Sequence, residues 1–345
     1  MKIVQVGLLG HFGFGKNLLN GQTVKTNMVA SCLEKKLGAG QIIKFDSSNG
    51  LISLISIMHT IGKLMRFCKN IIIFPAQRGL LVYAPIMCIF NVYYKRKTHY
   101  CVIGGWLPQY LEKHKVIKKC IKAFDKVYVE TDGMKAALNE MGLDNVVVMP
   151  NFKTIDAISK DEIGDSNSDE IQMCTFSRVM KEKGIEDAID AVRLLNEMKT
   201  NVKYTLDIYG QIDSFQQDWF EQVMSSAPPN VKYSGTVPPD QSVNVLKNYS
   251  MLLFPTYYDG EGFAGTLIDA MFAGIPSVAS DWKYNSEIIN SKNGVLCEIC
   301  NAADIKEKII IVQKQLSKAY RISCLEEGKK YYADNAINIL LNQLR

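Results

Sequence analysis

The chain has 345 residues, 47% of them hydrophobic and 22% charged, with a formal net charge of +5. Such a composition excludes a disordered chain and a single minimal domain, and fits two soluble domains of ordinary size. Residues 1–150 carry 20 Lys+Arg against 8 Asp+Glu and the rest 20 against 27, so the small net charge hides a basic first half and an acidic second half.

In chain order, apolar runs alternate with helical patterns. Lys2–Leu9, Gln41–Phe45, Asn70–Phe74, Tyr100–Ile103, Lys126–Glu130 and Val146–Met149 read as strands. Between them, Asn20–Leu37, Leu51–Arg66, Leu80–Tyr93 and Gln109–Ala123 read as helices. The stretch Ile155–Asp169 is polar and acidic and reads as a linker or loop. A second strand series follows at Ile171–Phe176, Lys203–Tyr209, Val231–Tyr233, Met251–Phe254, Ser277–Ala279 and Gly294–Leu296, and Leu316–Leu344 reads helical. Near-continuous apolar strands alternating with helices predict parallel sheets covered on both faces. The fold class is therefore α/β, with two Rossmann-like, doubly wound domains facing across a cleft, and ligands at the carboxyl ends of the strands.

No segment reaches the length of a membrane span. The nearest, Gly79–Tyr94, is interrupted by Pro85 and reads as a buried helix. No apolar leader with a cleavage site follows Met1, and the nine cysteines are scattered and odd in number, which suits reduced thiols and a cytoplasmic location. Cys297 and Cys300 form a lone CxxC without a second pair of ligands. Lys95-Arg96-Lys97 and the lysines from Lys113 to Lys126 suit an anionic membrane surface or an anionic acceptor, with a plain solvated basic face as the alternative, and the first of these implies peripheral contact with the inner face of a membrane. No pattern supports nucleic-acid binding.

The stretch Tyr258-Asp259-Gly260-Glu261-Gly262-Phe263-Ala264-Gly265-Thr266-Leu267-Ile268-Asp269-Ala270-Met271 follows an apolar strand and runs into a helix. A glycine-rich loop opening a helix seats a phosphate, because free N–H groups and the dipole favour negative charge. Two acids, Glu261 and Asp269, about two helical turns apart, make sense there only if the ligand also offers hydroxyls. Phosphate plus hydroxyls describes a nucleotide sugar. With Ala273-Gly274-Ile275-Pro276, Glu287 and Asn293-Gly294 downstream, this block resembles that of glycosyltransferase family 4, retaining enzymes of GT-B fold. Asp269 departs from the glutamate usual in that family and has a shorter reach.

Cys174-Thr175-Phe176-Ser177-Arg178-Val179-Met180-Lys181-Glu182-Lys183-Gly184 matches the family's S-R-x(4)-K-G pattern. Two cations at a strand end clamp a diphosphate and stabilise charge on a leaving group. The resemblance implies that Arg178, Lys183 and Glu261 serve catalysis. It implies further that Gly210, Val237, Gly262, Phe263, Ala264, Gly265, Thr266 and Asp269 bind the donor, with Glu261 on sugar hydroxyls and Asp269 on the ribose. No D-x-D stands at a strand end, so no metal and no cofactor beyond the donor are expected.

The loop Gly7-Leu8-Leu9-Gly10-His11-Phe12-Gly13-Phe14-Gly15-Lys16-Asn17 admits three readings. It is a near miss to the Walker A loop, with Asn17 where a Ser or Thr belongs. It is a poor dinucleotide fingerprint, although Asp46 ends the second strand. The favoured reading is the glycine loop of a GT-B first domain, with Gly13 and Gly15 approaching the donor. Asn20–Thr26 resembles bacterial cell-surface polysaccharide glycosyltransferases. Gly104-Gly105-Trp106 stands where many family members carry a histidine, so no catalytic histidine is assigned.

The resemblance implies domains at 1–152 and 153–318, with 319–345 packing back on the first. It implies a retaining hexosyltransferase using a nucleoside diphosphate sugar, and the lack of a guanine-specific acid favours UDP. The acceptor would be a glycan or a lipid-linked sugar of bacterial surface polysaccharide synthesis. Three alternatives are a sugar-nucleotide epimerase of the same fold, a P-loop NTPase built on Gly10–Lys16, and a non-catalytic sugar-nucleotide binding subunit.

Overall fold

Unalternating apolar strands need cover on both faces, and in the computed structural model they form two six-stranded sheets with every described pairing parallel. The structure describes residues 3–14, 21–47, 54–164, 169–198 and 200–344. The chain divides into two compact units, Met1–Asn151 with Ala333–Arg345, and Phe152–Tyr332.

The first unit runs β1 (Val4–Gly10), α1 (Gly21–Leu37), β2 (Ile42–Asp46), α2 (Leu54–Phe67), β3 (Cys68–Ile73), α3 (Gln77–Tyr94), β4 (Lys97–Cys101), α4 (Leu107–Lys113), α5 (Lys115–Lys122), β5 (Lys126–Val129), α6 (Asp132–Glu140) and β6 (Val146–Val148). Its sheet order is β2-β1-β3-β4-β5-β6. The chain steps one way from β1 to β2 and the other way thereafter. Right-handed crossovers then put α1 on one face and α2, α3 and α5 on the other, where α3 packs against both α2 and α5.

Three sequence expectations are corrected in this unit. The single helix over Gln109–Ala123 is two helices, because His114 leaves helical geometry at φ −123°, ψ 69° and stacks its ring on Tyr110, 3.9 Å away. Helix α6 escaped the sequence reading, although Thr131 marks its start by accepting a hydrogen bond from Met134 N at 3.2 Å. Helix α3 is not buried. A helix lying on a sheet face covers it with one side only, so Leu80, Tyr83, Ala84 and Met87 are buried while Leu81, Ile89, Val92 and Tyr93 are exposed.

The second unit runs β7 (Glu170–Phe176), α7 (Ile185–Glu197), β8 (Lys203–Tyr209), α8 (Gln217–Ser225), β9 (Val231–Gly235), α9 (Ser242–Leu246), β10 (Met251–Phe254), α10 (Gly265–Phe272), β11 (Ser277–Ser280), α11 (Asn285–Ile288), β12 (Gly294–Cys297), α12 (Ala302–Gln315) and α13 (Lys318–Gly328). Its sheet order, β12-β11-β10-β7-β8-β9, reverses direction between β7 and β10. One core packs α10 on Leu252 and Phe254; the other packs α7 and α12 on Met173, Leu206 and Leu253. The described part of the expected linker is not free, since Ile158 and Ile163 are buried in the first of these cores and Ile158 N donates to Phe272 O.

The chain does not leave the second unit at 319. Helix α13 packs on α10, extended Tyr332 breaks the helical run, and α14 (Ala333–Gln343) packs on α1 in the first unit. Lys36 pairs with Asp334 at 2.7 Å and Gln5 Nε2 donates to Leu344 O at 3.3 Å, which ties the terminal helix to that sheet.

His99 on β4 is fully buried, with its ring nitrogens near Asn70 Oδ1 at 3.4 Å and Tyr128 Oη at 3.3 Å. Burial pushes the imidazole down to about 4 from 6.5. The unfolded chain then binds the proton first as the pH falls, so this residue's contribution is intact above pH 6.5 and is lost between 6.5 and about 4. The loss amounts to roughly 3 kcal/mol. Urea unfolding of the wild type and of His99→Gln across that window is expected to show the steeper acid loss in the wild type alone.

Candidate functional site

In a doubly wound sheet the strand order reverses at one place, and loops leaving the carboxyl ends of the strands there part to form a crevice. In the second unit that place is between β7 and β10. The loop after β7 carries Ser177, Arg178 and the short turn Lys181–Lys183; the loop after β10 carries Thr256 to Ala264 and opens α10. The sequence motifs some eighty residues apart therefore share one crevice because their strands are neighbours.

The two loops are fastened to each other. Tyr257 N donates to Glu182 O at 2.8 Å, and Thr256 Oγ1 reaches the same carbonyl at 3.3 Å. Lys183 Nζ meets Glu261 Oε2 at 2.5 Å, and Thr256 Oγ1 donates to that oxygen at 2.9 Å. Both charged side chains are about nine-tenths buried. The Tyr258 ring lies within reach of two cations, Lys183 Nζ at 5.0 Å and the Arg178 guanidinium at 5.9 Å. Arg178 is half exposed and leans on Asp213 at 3.5 Å. A buried lysine locked to a carboxylate and a half-exposed arginine beside it set two positive charges at these strand ends.

Gly210, at the end of β8, closes the third side. Its φ is +137°, and a Cβ there would lie 1.7 Å from Ser177 O, so only glycine lets this turn press against the Ser177–Arg178 peptide. Gly210 N donates to Gly235 O at 2.8 Å, which sets half-buried Val237, two residues on, near the same strand ends. Gly184 makes a matching approach after the lysine turn, where a Cβ would stand 2.1 Å from Pro255 O.

Helix α10 begins at Gly265 after Ala264, whose side chain provides no cap, so its first N–H groups have no partner from that side chain. Gly262, Phe263 and Ala264 are buried as they lead into it, and Phe263 packs edge-on against Tyr331, 5.0 Å away. Thr266 Oγ1 is buried without a hydrogen-bond partner, and so is Asp269 Oδ1 one turn later. Asp269 Oδ2 is held by Lys153 at 2.8 Å. Burial pushes the Asp269 carboxyl above its usual range, and Lys153 offsets part of that rise. Buried polar atoms without a bond are few in a folded protein, so Thr266 and Asp269 are candidates for contact with a polar ligand or water.

The structure thus brings Arg178, Lys183 and Glu261 together about the Tyr258 ring and Gly210 against the Ser177–Arg178 peptide, while Gly262, Phe263, Ala264, Gly265, Thr266 and Asp269 follow Glu261 along the loop and helix α10. Thr256, the ring of Tyr258 and Lys153 touch these residues and were not singled out from the sequence. Thr256 had a signal, being a polar residue directly after an apolar strand. Lys153 had none, because it lies 116 residues from Asp269.

Gly13 is in the first unit, where Asp46 accepts from Phe12 N at 2.9 Å and Phe14 N at 2.8 Å and so folds the turn around it. The Asp46 carboxylate thus holds the loop that follows β1. Gly15, Lys16 and Asn17 lie outside the described residues, as does Asn20. Among the described residues no three His, Cys, Asp or Glu side chains converge as a metal site.

The family model of glycosyl transferases group 1 matches residues 156–324, which include Arg178, Lys183, Glu261 and Asp269. Anabaena HepE, solved with UDP and glucose, superposes with a TM-score of 0.72 at 15% identity, over 98% of both chains. Sucrose-phosphate synthase from Thermosynechococcus elongatus gives 0.72 at 14% identity, over 98% of this chain and 97% of that one. TarM of S. aureus, solved as a mutant with UDP and alpha-GlcNAc-glycerol among its ligands, gives 0.65 at 20% identity, over 85% of this chain and 59% of its own. No curated protein matches the sequence. Residues 156–324 are thus similar to the group 1 glycosyl transferases, and the chain as a whole takes the GT-B fold.

Proposed function

We propose that this chain is a retaining hexosyltransferase of family 4 type. In this reading it moves a hexose from a UDP-sugar to a glycan or lipid-linked acceptor in bacterial surface polysaccharide synthesis, on the cytoplasmic side of the membrane and without a metal. The observation that carries this reading is the buried Lys183–Glu261 pair beside half-exposed Arg178 at the point where the sheet reverses.

The reaction breaks the bond between the anomeric carbon and the diphosphate, and forms one from that carbon to the acceptor oxygen on the same face. The acceptor's proton leaves with the nucleoside diphosphate. Negative charge grows on the diphosphate as its bond breaks, so fixed cations beside it lower the barrier. Lys183 is held in place by Glu261, and Arg178 is free to close on the phosphates. Thr266 Oγ1 and the start of α10 add donors. Glu261, with one oxygen engaged by Lys183 and Thr256, offers its other to sugar hydroxyls. The N–H groups leading through Gly262, Phe263 and Ala264 face the same sugar. Asp269 Oδ1 accepts from the ribose, and Gly210 and Val237 line the base. The UDP preference draws support from HepE and TarM, both solved with UDP.

Thermal unfolding with UDP, GDP, ADP, ATP and NAD, in EDTA and again with Mg²⁺, tests the reading. A ligand present at a hundred times its Kd adds about 2.7 kcal/mol to the folded state. UDP is expected to stabilise the protein in EDTA, and Asp269→Ala to weaken that shift. A response confined to ATP with Mg²⁺, or to NAD, would overturn it.

A further inference from the structure

A helix that is apolar on every side belongs either inside a core or in contact with something other than water. Helix α3 has no charged residue from 79 to 94, yet only one side of it meets the sheet. Its outer side shows Ile89, Val92 and Tyr93 at 70%, 79% and 80% exposure. Neighbouring α2 adds exposed Ile55 and Met58, and α5 adds Val116. The three helices pack side by side on one face of the first unit's sheet, so these side chains share one surface. A monomeric protein rarely leaves such a patch to water.

The charge around the patch selects its partner. No Asp or Glu occurs between Asp46 and Glu112. Exposed Lys63 and Arg66 end α2, exposed Lys95 follows α3, and Lys115, Lys119 and Lys122 stand out from α5. Apolar side chains edged by lysines, with a tyrosine at the margin, match the boundary between acyl chains and anionic headgroups. No described helix is long and apolar enough to cross a membrane.

We infer that the α2–α3–α5 face of the first unit docks on an anionic phospholipid surface, with the outer side of α3 entering the interface and the α5 lysines lying on the headgroups. This docking is independent of the transferase reading, since it uses no residue of the second unit.

Flotation of the full chain with phosphatidylcholine vesicles, with and without phosphatidylglycerol, tests it. Binding is expected on the anionic vesicles only, and to fall as salt rises. Lys115→Gln/Lys119→Gln/Lys122→Gln is expected to lower the partition coefficient on the order of a hundredfold, at about fivefold per lysine. Ile89→Ser/Val92→Ser is expected to lower it as well. All five positions are exposed, so the variants should fold, and an unchanged thermal shift with UDP checks this and keeps the two readings separate. Absence of binding to anionic vesicles at low salt would overturn the proposal. So would binding that survives the triple substitution, or self-association through the patch without vesicle binding, which would assign the face to a second copy of the chain.

Discussion

Lys183→Met is expected to lower transfer by two to three orders of magnitude and to destabilise the second unit by about 3 kcal/mol. The two losses have different origins. Activity falls because a fixed positive charge no longer faces the leaving diphosphate. Stability falls because Glu261, which is about one-tenth exposed, loses the cation that compensates its burial, while the Thr256 hydroxyl remains. Removing both charges separates them. Lys183→Met/Glu261→Gln is expected to recover most of the stability and none of the activity, since replacing a whole buried ion pair is often neutral. Urea unfolding and initial rates on the three proteins decide the matter. A double variant as unstable as the single one would show that the pair does not set the stability of this turn.

Arg178→Ala is expected to cut kcat by a similar two to three orders of magnitude while leaving the unfolding free energy within about 0.5 kcal/mol of wild type. The contrast with Lys183 follows from exposure. The Arg178 side chain is 49% exposed and its contact with Asp213 is 3.5 Å, an arrangement of little stabilising value. Arg178→Lys should restore only part of the rate, because the lysine keeps the charge and loses the planar fork that grips two phosphate oxygens. A rise in KM with kcat unchanged would make Arg178 a ground-state binder only. Wild-type turnover by Arg178→Ala would remove it from the mechanism.

The catalytic candidates were legible because their chemistry is local. The segment Ser177–Gly184 places Arg178 and Lys183 around one turn, and the segment Glu261–Asp269 places two acids around one helix start. The partners of these residues were harder to read. Nothing near Asp269 announces Lys153, and nothing near Arg178 announces that Asp213 and Tyr258 will share it. The fate of Asp46 is of the same kind. It ends the second strand, and nothing near it announces that its carboxylate is taken up by the backbone of Phe12 and Phe14.

Periodicity and strand composition alone determined that the chain is α/β with two parallel sheets, because an unalternating apolar strand has no stable place except between two covered faces. Strand order was not written in any local pattern. Tertiary pairing placed β10 beside β7 and so brought Glu261 within 2.5 Å of Lys183, and it laid α3 against α2 and α5 with its apolar outer side uncovered. A strand's composition reports that it will be covered, and only the packed sheet decides which strand lies beside it and which helix faces are left over.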